Sequence, residues 1–352
     1  MILFDARQNL EVDMTLVQEI RKIDRLEFTL RPTTMEDLDA VVALINKGGV
    51  DQTGHPLTDA VEVKADWVLP SFDLEISTRV AETAEGQLIG YIEVWDIDAI
   101  PVLNWVWAQV DPQFEGLGVG TEMMEWAEDR LQATLERAPE GTRIAYRSGA
   151  LSSHKPSKAL FEGLDMQFVR RFWHMMIEFD GPPPEPVWPD GITLSSYAER
   201  PDLRAIAIAD DEIFQDHWGY VSQPEDHLEK IFREMIDSKP DFDPALWFLA
   251  MDGEEIAGIC LCSHSRTEYP GAAWVNILGV RRPWRKQGLG LALLQHAFGV
   301  FYSEGKEKAG LGVDSSSLTG ATRLYDKAGM SVVKQQDAYE KEIRPGRDLA
   351  TK

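Results

Sequence analysis

Cysteine is nearly absent from this chain: 352 residues contain two, Cys260 and Cys262, both in the run EIAGICLCSHS. Two cysteines separated by one residue give neither a CxxC pair nor metal-ligand spacing, so no metal site is expected and both thiols are read as the buried face of a strand. Long apolar runs are lacking too. The opening MILFDARQNLEVDMTLVQEIRKIDRLEF is interrupted by charge, so neither a spanning helix nor a secretory signal is expected, and a cytoplasmic location without membrane partners follows as the expectation. Basic residues are scarce: 35 Lys and Arg stand against 59 Asp and Glu, a formal charge of −24. That field repels nucleic acid, so any anionic ligand must be held by a local concentration of donors.

What is present is one order of elements, given twice. LEFTLRPTTMEDLDAVVALIN reads as a strand and an amphipathic helix, LEISTRVAETAEGQLIGYIEVWDID as two alternating strands, and VLNWVWAQV as a strand followed by the turn DPQFEGLGVG and a helix. TRIAYRS, a short helix and FVRRFWHMMIEF close the half, and the proline-rich DGPPPEPVWPDG reads as an extended connection. The same series then recurs from GITLSSY to SVVKQQDAYEKEI. Gly120 and Gly290 are 170 apart, Phe161 and Tyr325 164, and Leu30 and Leu194 164, so the spacing agrees within a loop's length at three separate landmarks. The expected division is an N-terminal extension over 1–25, a first domain over 26–180, a linker over 181–190, a second domain over 191–345 and a tail over 346–352.

In the second copy a strand ends at Val280, the basic turn RRPWRKQ follows, and Gly288 and Gly290 open a helix. Glycines allow close approach of the backbone, and the unpaired N–H groups of a helix start point into such a turn, which makes it an anion site. Arg281, Arg282, Arg285 and Lys286 reverse the local sign of charge. A P-loop requires GxxxxGK before Ser or Thr, and a dinucleotide fingerprint requires Gly or Ala where Leu293 stands, so neither nucleotide motif fits.

The pattern V-x-x-x-x-[RQ]-x-x-G-x-G, here Val280, Arg285, Gly288 and Gly290, together with ATRLYDKAGM downstream, resembles the GNAT superfamily of acyl-CoA-dependent N-acetyltransferases. The tandem layout and FQDHWGY are similar to GNAT enzymes of the mycothiol synthase type. The resemblance implies an α/β fold of the α+β kind, with two tandem GNAT domains, each a mixed, mostly antiparallel central sheet flanked by helices. It implies acetyl-CoA as cosubstrate and a small-molecule primary amine as acceptor. It places the pantetheine beside Leu278 and Val280, the pyrophosphate in the turn Arg285, Lys286, Gln287, Gly288, Leu289 and Gly290, and further cofactor contacts at Leu318 and Ala321. Tyr325 is the implied proton donor to the departing thiolate. Asp216 leads the candidates for the base, with His217, Glu268 and Asn276 behind it.

The first copy keeps Val110, Gly116, Gly118 and Gly120 but carries Glu115 for the arginine and Phe161 for the tyrosine. A carboxylate beside a pyrophosphate is unfavourable and phenylalanine has no proton to give, so this copy is expected to be catalytically silent. His154, His174, Trp105 and Trp107 are read as packing or capping residues. Two other functions fit the same residues: an acyl-CoA or metabolite sensor without turnover, and an acetyltransferase acting on protein or peptide amines.

Overall fold

The computed structural model describes residues 26–317 and 320–352. The expected N-terminal extension over 1–25 and the cofactor contact at Leu318 lie outside the described residues. The strands are β1 (Phe28–Arg31), β2 (Thr78–Thr83), β3 (Leu88–Trp95), β4 (Leu103–Val110), β5 (Ile144–Leu151), β6 (Gln167–Glu178), β7 (Ile192–Ser196), β8 (Trp247–Asp252), β9 (Glu255–Ser263), β10 (Ala272–Val280), β11 (Lys308–Asp314) and β12 (Ser331–Arg344). The helices are α1 (Leu38–Thr53), α2 (Ala60–Trp67), α3 (Leu74–Ser77), α4 (Val119–Leu131), α5 (Thr134–Arg137), α6 (Lys155–Gly163), α7 (Leu203–Phe214), α8 (Glu225–Asp237), α9 (Leu289–Ser303) and α10 (Ala321–Lys327). Local chemistry sets their starts: Asp59 accepts from the N–H groups of Val61 and Glu62 at α2, and Asp202 from that of Ala205 at α7.

All strands join one sheet in the order β1-β2-β3-β4-β5-β12-β6-β11-β10-β9-β8-β7. The two closing strands have changed places. β6 pairs with β11 of the second copy, β12 with β5 of the first, and the two pair with each other at the centre. Each sequence range therefore takes its final strand from the other, and the sheet runs unbroken through both copies.

Alternation along the strands serves two faces. Phe248, Ala250, Cys260 and Cys262 pack under α9, whereas Trp247, Leu249, Ile259 and Leu261 pack under α7 and α8. The two thiols are buried and free on one strand face, with sulfurs 3.6 Å apart. In the first copy α4 covers one face and α1 with α2 the other. α8 leans on the first copy: Glu234 accepts from Ser71 Oγ at 3.0 Å, His227 Nε2 from the Ala99 N–H at 3.2 Å and Gln223 Oε1 from the Ile100 N–H at 2.9 Å.

The parallel pair of each copy is joined only at its start. β10 pairs with β11 from Ala272 to Val275, then shifts register on β9 and runs on to Val280 without β11; β4 pairs with β5 only from Leu103 to Trp105. Both copies thus keep a splay beside the glycine turn.

One carboxyl in the first copy's core has no cation partner among the described residues. Glu93 accepts from Tyr91 Oη and Trp95 Nε1, each at 2.8 Å, and burial pushes its pKa up to about 7. The folded protein then holds this proton over a range where the unfolded chain has lost it, so its stabilising effect falls as pH rises from about 4.5 through 7. Glu93→Gln is expected to raise the melting temperature at pH 8 by roughly 2 to 4 °C, with the gain vanishing near pH 5. Thermal melts across that range check it, and a gain independent of pH would count against it.

Candidate active site

The turn after β10 has the backbone of an anion cradle. Lys286 (φ 65°) and Gly288 (φ 89°) are both left-handed, and α9 begins at Leu289. The N–H groups from Lys286 to Gly290 donate to no protein acceptor among the described residues. A side chain at Gly290 would meet Leu324 Cδ1 at 3.1 Å, so this glycine allows α9 to approach α10, whereas Gly288 faces open space. The cradle fits a phosphate-bearing ligand: free donors, no obstructing side chain and a helix start behind it.

The side chains around the turn are less available than their number suggests. Arg281 Nε donates to Glu212 at 2.5 Å and Arg282 to Asp216 at 2.9 and 2.5 Å. Arg285 turns back onto the fold and donates to Asp216 at 2.6 Å and to the carbonyls of Val280 and Ile213 at 2.9 and 3.1 Å. Lys286 has no carboxylate partner among the described residues. The side chain of Gln287 donates to the Pro283 carbonyl at 3.3 Å.

This arrangement gives Asp216 two cationic partners, Arg282 and Arg285. Hydrogen bonds from Arg282 and Arg285 hold its carboxyl well below the usual carboxylate range. A carboxylate so stabilised is a poor proton acceptor; its geometry is that of a clasp joining the loop after α7 to the turn. Of the other candidates, Glu268 is buried and bound to Lys334 at 2.5 Å, and Asn276 donates to Ser263 Oγ at 3.2 Å. His217 has no side-chain hydrogen bond among the described residues, and its ring packs edge-on to Phe214 at 4.4 Å. Burial, then the nearby Arg285, lowers its pKa below the usual imidazole value.

Leu278 and Val280 lie on the end of β10 that pairs with β9 but not with β11 and pack against the core under α9, and Tyr325 and Ala321 of α10 belong to the same cluster. Tyr325 is 7% exposed and burial drives its hydroxyl pKa well above the usual range, so it carries its proton at every working pH.

The first copy repeats this backbone with different side chains. Gly116 (φ 75°) and Gly118 (φ 94°) repeat the two left-handed positions. Glu115 stands where Arg285 does and faces His154 Nε2 at 3.4 Å. His154 caps α6, accepting from the Ser157 N–H at 3.4 Å, so this carboxylate contact bridges the turn and the start of α6. Phe161 packs at a tilt against Tyr339, a ring supplied by the exchanged strand β12, with ring centroids 5.2 Å apart.

Several residues at the site were not visible in sequence. Trp218, in the loop after α7, has the guanidinium groups of Arg147 (3.9 Å) and Arg170 (5.0 Å) of the first copy over its ring. Thr351, expected in a tail, is tied to the same loop: its carbonyl accepts from the Gly219 N–H at 2.7 Å and its N–H donates to the Tyr220 carbonyl at 2.9 Å. Trp105, read as packing, is 36% exposed and lines a cavity between the copies. Only the loop sequence FQDHWGY itself gave a signal; its partners lie far away in the chain. Among the described residues no group of three or more metal-ligating side chains is found and no helix is long and apolar enough to cross a membrane.

A mixed sheet splayed beside an anion cradle, with a phenol on the following helix, defines an acyl-CoA-dependent transferase. Residues 210–330 match the model of the Acetyltransferase (GNAT) family. A mycothiol acetyltransferase from Salinispora tropica is 30% identical over 71% of this chain and 77% of its own length, and one from Streptomyces scabiei 29% identical over 72% and 77%. The crystal structure of a GCN5-related N-acetyltransferase from Sphaerobacter thermophilus matches with a TM-score of 0.76 at 34% identity, covering 94% of this chain and 99% of that one. A tandem GNAT protein from the clavulanic acid biosynthesis pathway shares the fold, with a TM-score of 0.66 at 15% identity over 91% of this chain and 100% of its own. The chain belongs to the GNAT family and is a tandem-type N-acetyltransferase.

Proposed function

We propose that the second copy transfers the acetyl group of acetyl-CoA directly to the primary amine of a small molecule, while the first copy supports it without turnover. The observation that carries this reading is the contrast between two turns of equal backbone: Lys286 and Gly288 open on free N–H groups beside Tyr325, whereas Glu115 in the first copy faces His154 beside Phe161. The relatives named mycothiol acetyltransferase act in the same class, which supports a small amine as acceptor.

Bound acetyl-CoA supplies the acetyl thioester and a thiol leaving group. The turn from Lys286 to Gly290 holds the pyrophosphate through backbone N–H groups, and the free end of β10 from Leu278 to Val280 lines the pantetheine arm. Backbone donors near Val280 face the carbonyl oxygen, where negative charge develops. Tyr325 donates a proton to the departing sulfur. His217, kept neutral by burial, takes the proton released by the attacking amine. Asp216 positions Arg282 and Arg285 and does not touch the reacting atoms.

Two substitutions separate these roles. His217→Ala is expected to lower kcat by about 100-fold, whereas Asp216→Asn is expected to lower it less than about tenfold and mainly to raise the KM for acetyl-CoA. Steady-state release of free thiol reads both, and a larger kcat loss in Asp216→Asn than in His217→Ala would return the base to Asp216.

A further inference from the structure

A cavity of about 310 Å³ lies on the seam between the copies, between the start of β4 and the helices α7 and α8. Its polar lining includes acceptors that no protein donor meets among the described residues. Asn104 is 2% exposed, its Nδ2 donates to the Pro101 and Ala145 carbonyls at 3.3 and 3.5 Å, and its Oδ1 has no partner among the described residues. Across the cavity, Asp210 Oδ1 is also buried without a partner, and Asp210 has no ion pair among the described residues. Asp98 adds a second carboxylate, near Arg137 and His227 but bonded to neither through its carboxyl group. Burial raises the pKa of Asp210 to about 7 and that of Asp98 above the usual carboxylate value.

The one guanidinium in the lining does not answer these acceptors. Arg147 donates to Glu340 at 2.8 Å and lies flat on Trp218. The half-exposed ring of Trp105 completes one wall and offers a π face. Two orphaned acceptors, an unpaired carboxylate and an aromatic face call for a compact ligand that donates hydrogen bonds and carries positive charge. The cavity also adjoins the second copy's site. Asp210 stands one helical turn before Ile213, whose side chain fills the space beside Gly279 on β10, and Gly219 and Tyr220 in the lining come two and three residues after His217.

We propose that this seam cavity binds an organic ammonium group and anchors the acceptor by an amine other than the one acetylated, so that the acceptor class is compact diamines. An ammonium held among carboxylates stays protonated and cannot attack a carbonyl, which is why the anchored amine and the nucleophile must be different groups. The link to acetylation rests on the function proposed above; the ammonium site itself does not.

Calorimetric titration of 1,4-diaminobutane into the full chain without acetyl-CoA tests the site. One site per chain is expected, weakened tenfold or more in Asp210→Asn and in Asn104→Leu, with no binding of butane-1,4-diol. Asp98→Asn gives a third reading should either variant fail to fold, which thermal melts reveal. Equal binding in all folded variants, or equal binding of the diol, would overturn the site. With acetyl-CoA added, thiol release dependent on the diamine is expected, with KM for the diamine raised tenfold or more in Asp210→Asn and kcat within about twofold. Diamine binding through Asp210 with no thiol release would overturn the anchoring role and leave the cation site standing. Acetylation of a monoamine such as glucosamine with no diamine binding would overturn the cation site and leave acetyl transfer standing.

Discussion

Gly288→Glu is expected to reduce acetyl-CoA affinity by at least about 100-fold, whereas Gly118→Glu leaves it within about twofold. The two glycines have nearly the same backbone, φ 89° and 94°, and both face open space, so the strain of placing an L side chain there is matched between the variants. The difference lies in what the new carboxylate meets. At position 288 it enters the cradle of free N–H groups where the pyrophosphate is proposed to sit, and two like charges at such range repel strongly in a partly desolvated site. At position 118 it joins a turn already closed to anions by Glu115. Calorimetry with equal thermal stability of the two variants checks the prediction, and equal loss in both would place the cofactor elsewhere.

Tyr325→Phe is expected to lower kcat by about 100-fold or more while the affinity for acetyl-CoA changes little. The ring is part of the buried cluster beneath α9, and phenylalanine preserves that packing. What is removed is a hydroxyl that burial keeps protonated, on the helix α10 that packs in the same cluster as the end of β10. The reciprocal change, Phe161→Tyr, restores no activity to the first copy, because Glu115 still occupies its turn. Wild-type turnover in Tyr325→Phe would remove the proton-donor role.

The duplication and the glycine turns were legible in sequence because each depends on local pattern: alternation for strands, glycine for left-handed backbone, an amphipathic run for the helix behind. The exchange of β6 and β12 was not, since either strand satisfies its own alternation on either side of the sheet and only tertiary packing decides between them. The same limit hid the partners of Asp216. Its neighbours in the chain give no sign that Arg282 and Arg285 reach across to it in two ion pairs. The contact of Glu115 with His154 was within reach, because the spacing of 164 between the copies sets His154 against Leu318, a position already assigned to the cofactor cleft.

The most direct test is amine-dependent release of free thiol from acetyl-CoA, measured across a panel of small mono- and diamines with wild type, Gly288→Glu and Gly118→Glu in parallel. Release by wild type and Gly118→Glu at similar rates, with none from Gly288→Glu, is the predicted result. Release that survives in Gly288→Glu and disappears in Gly118→Glu would assign the acetyl transfer to the first copy and contradict the account.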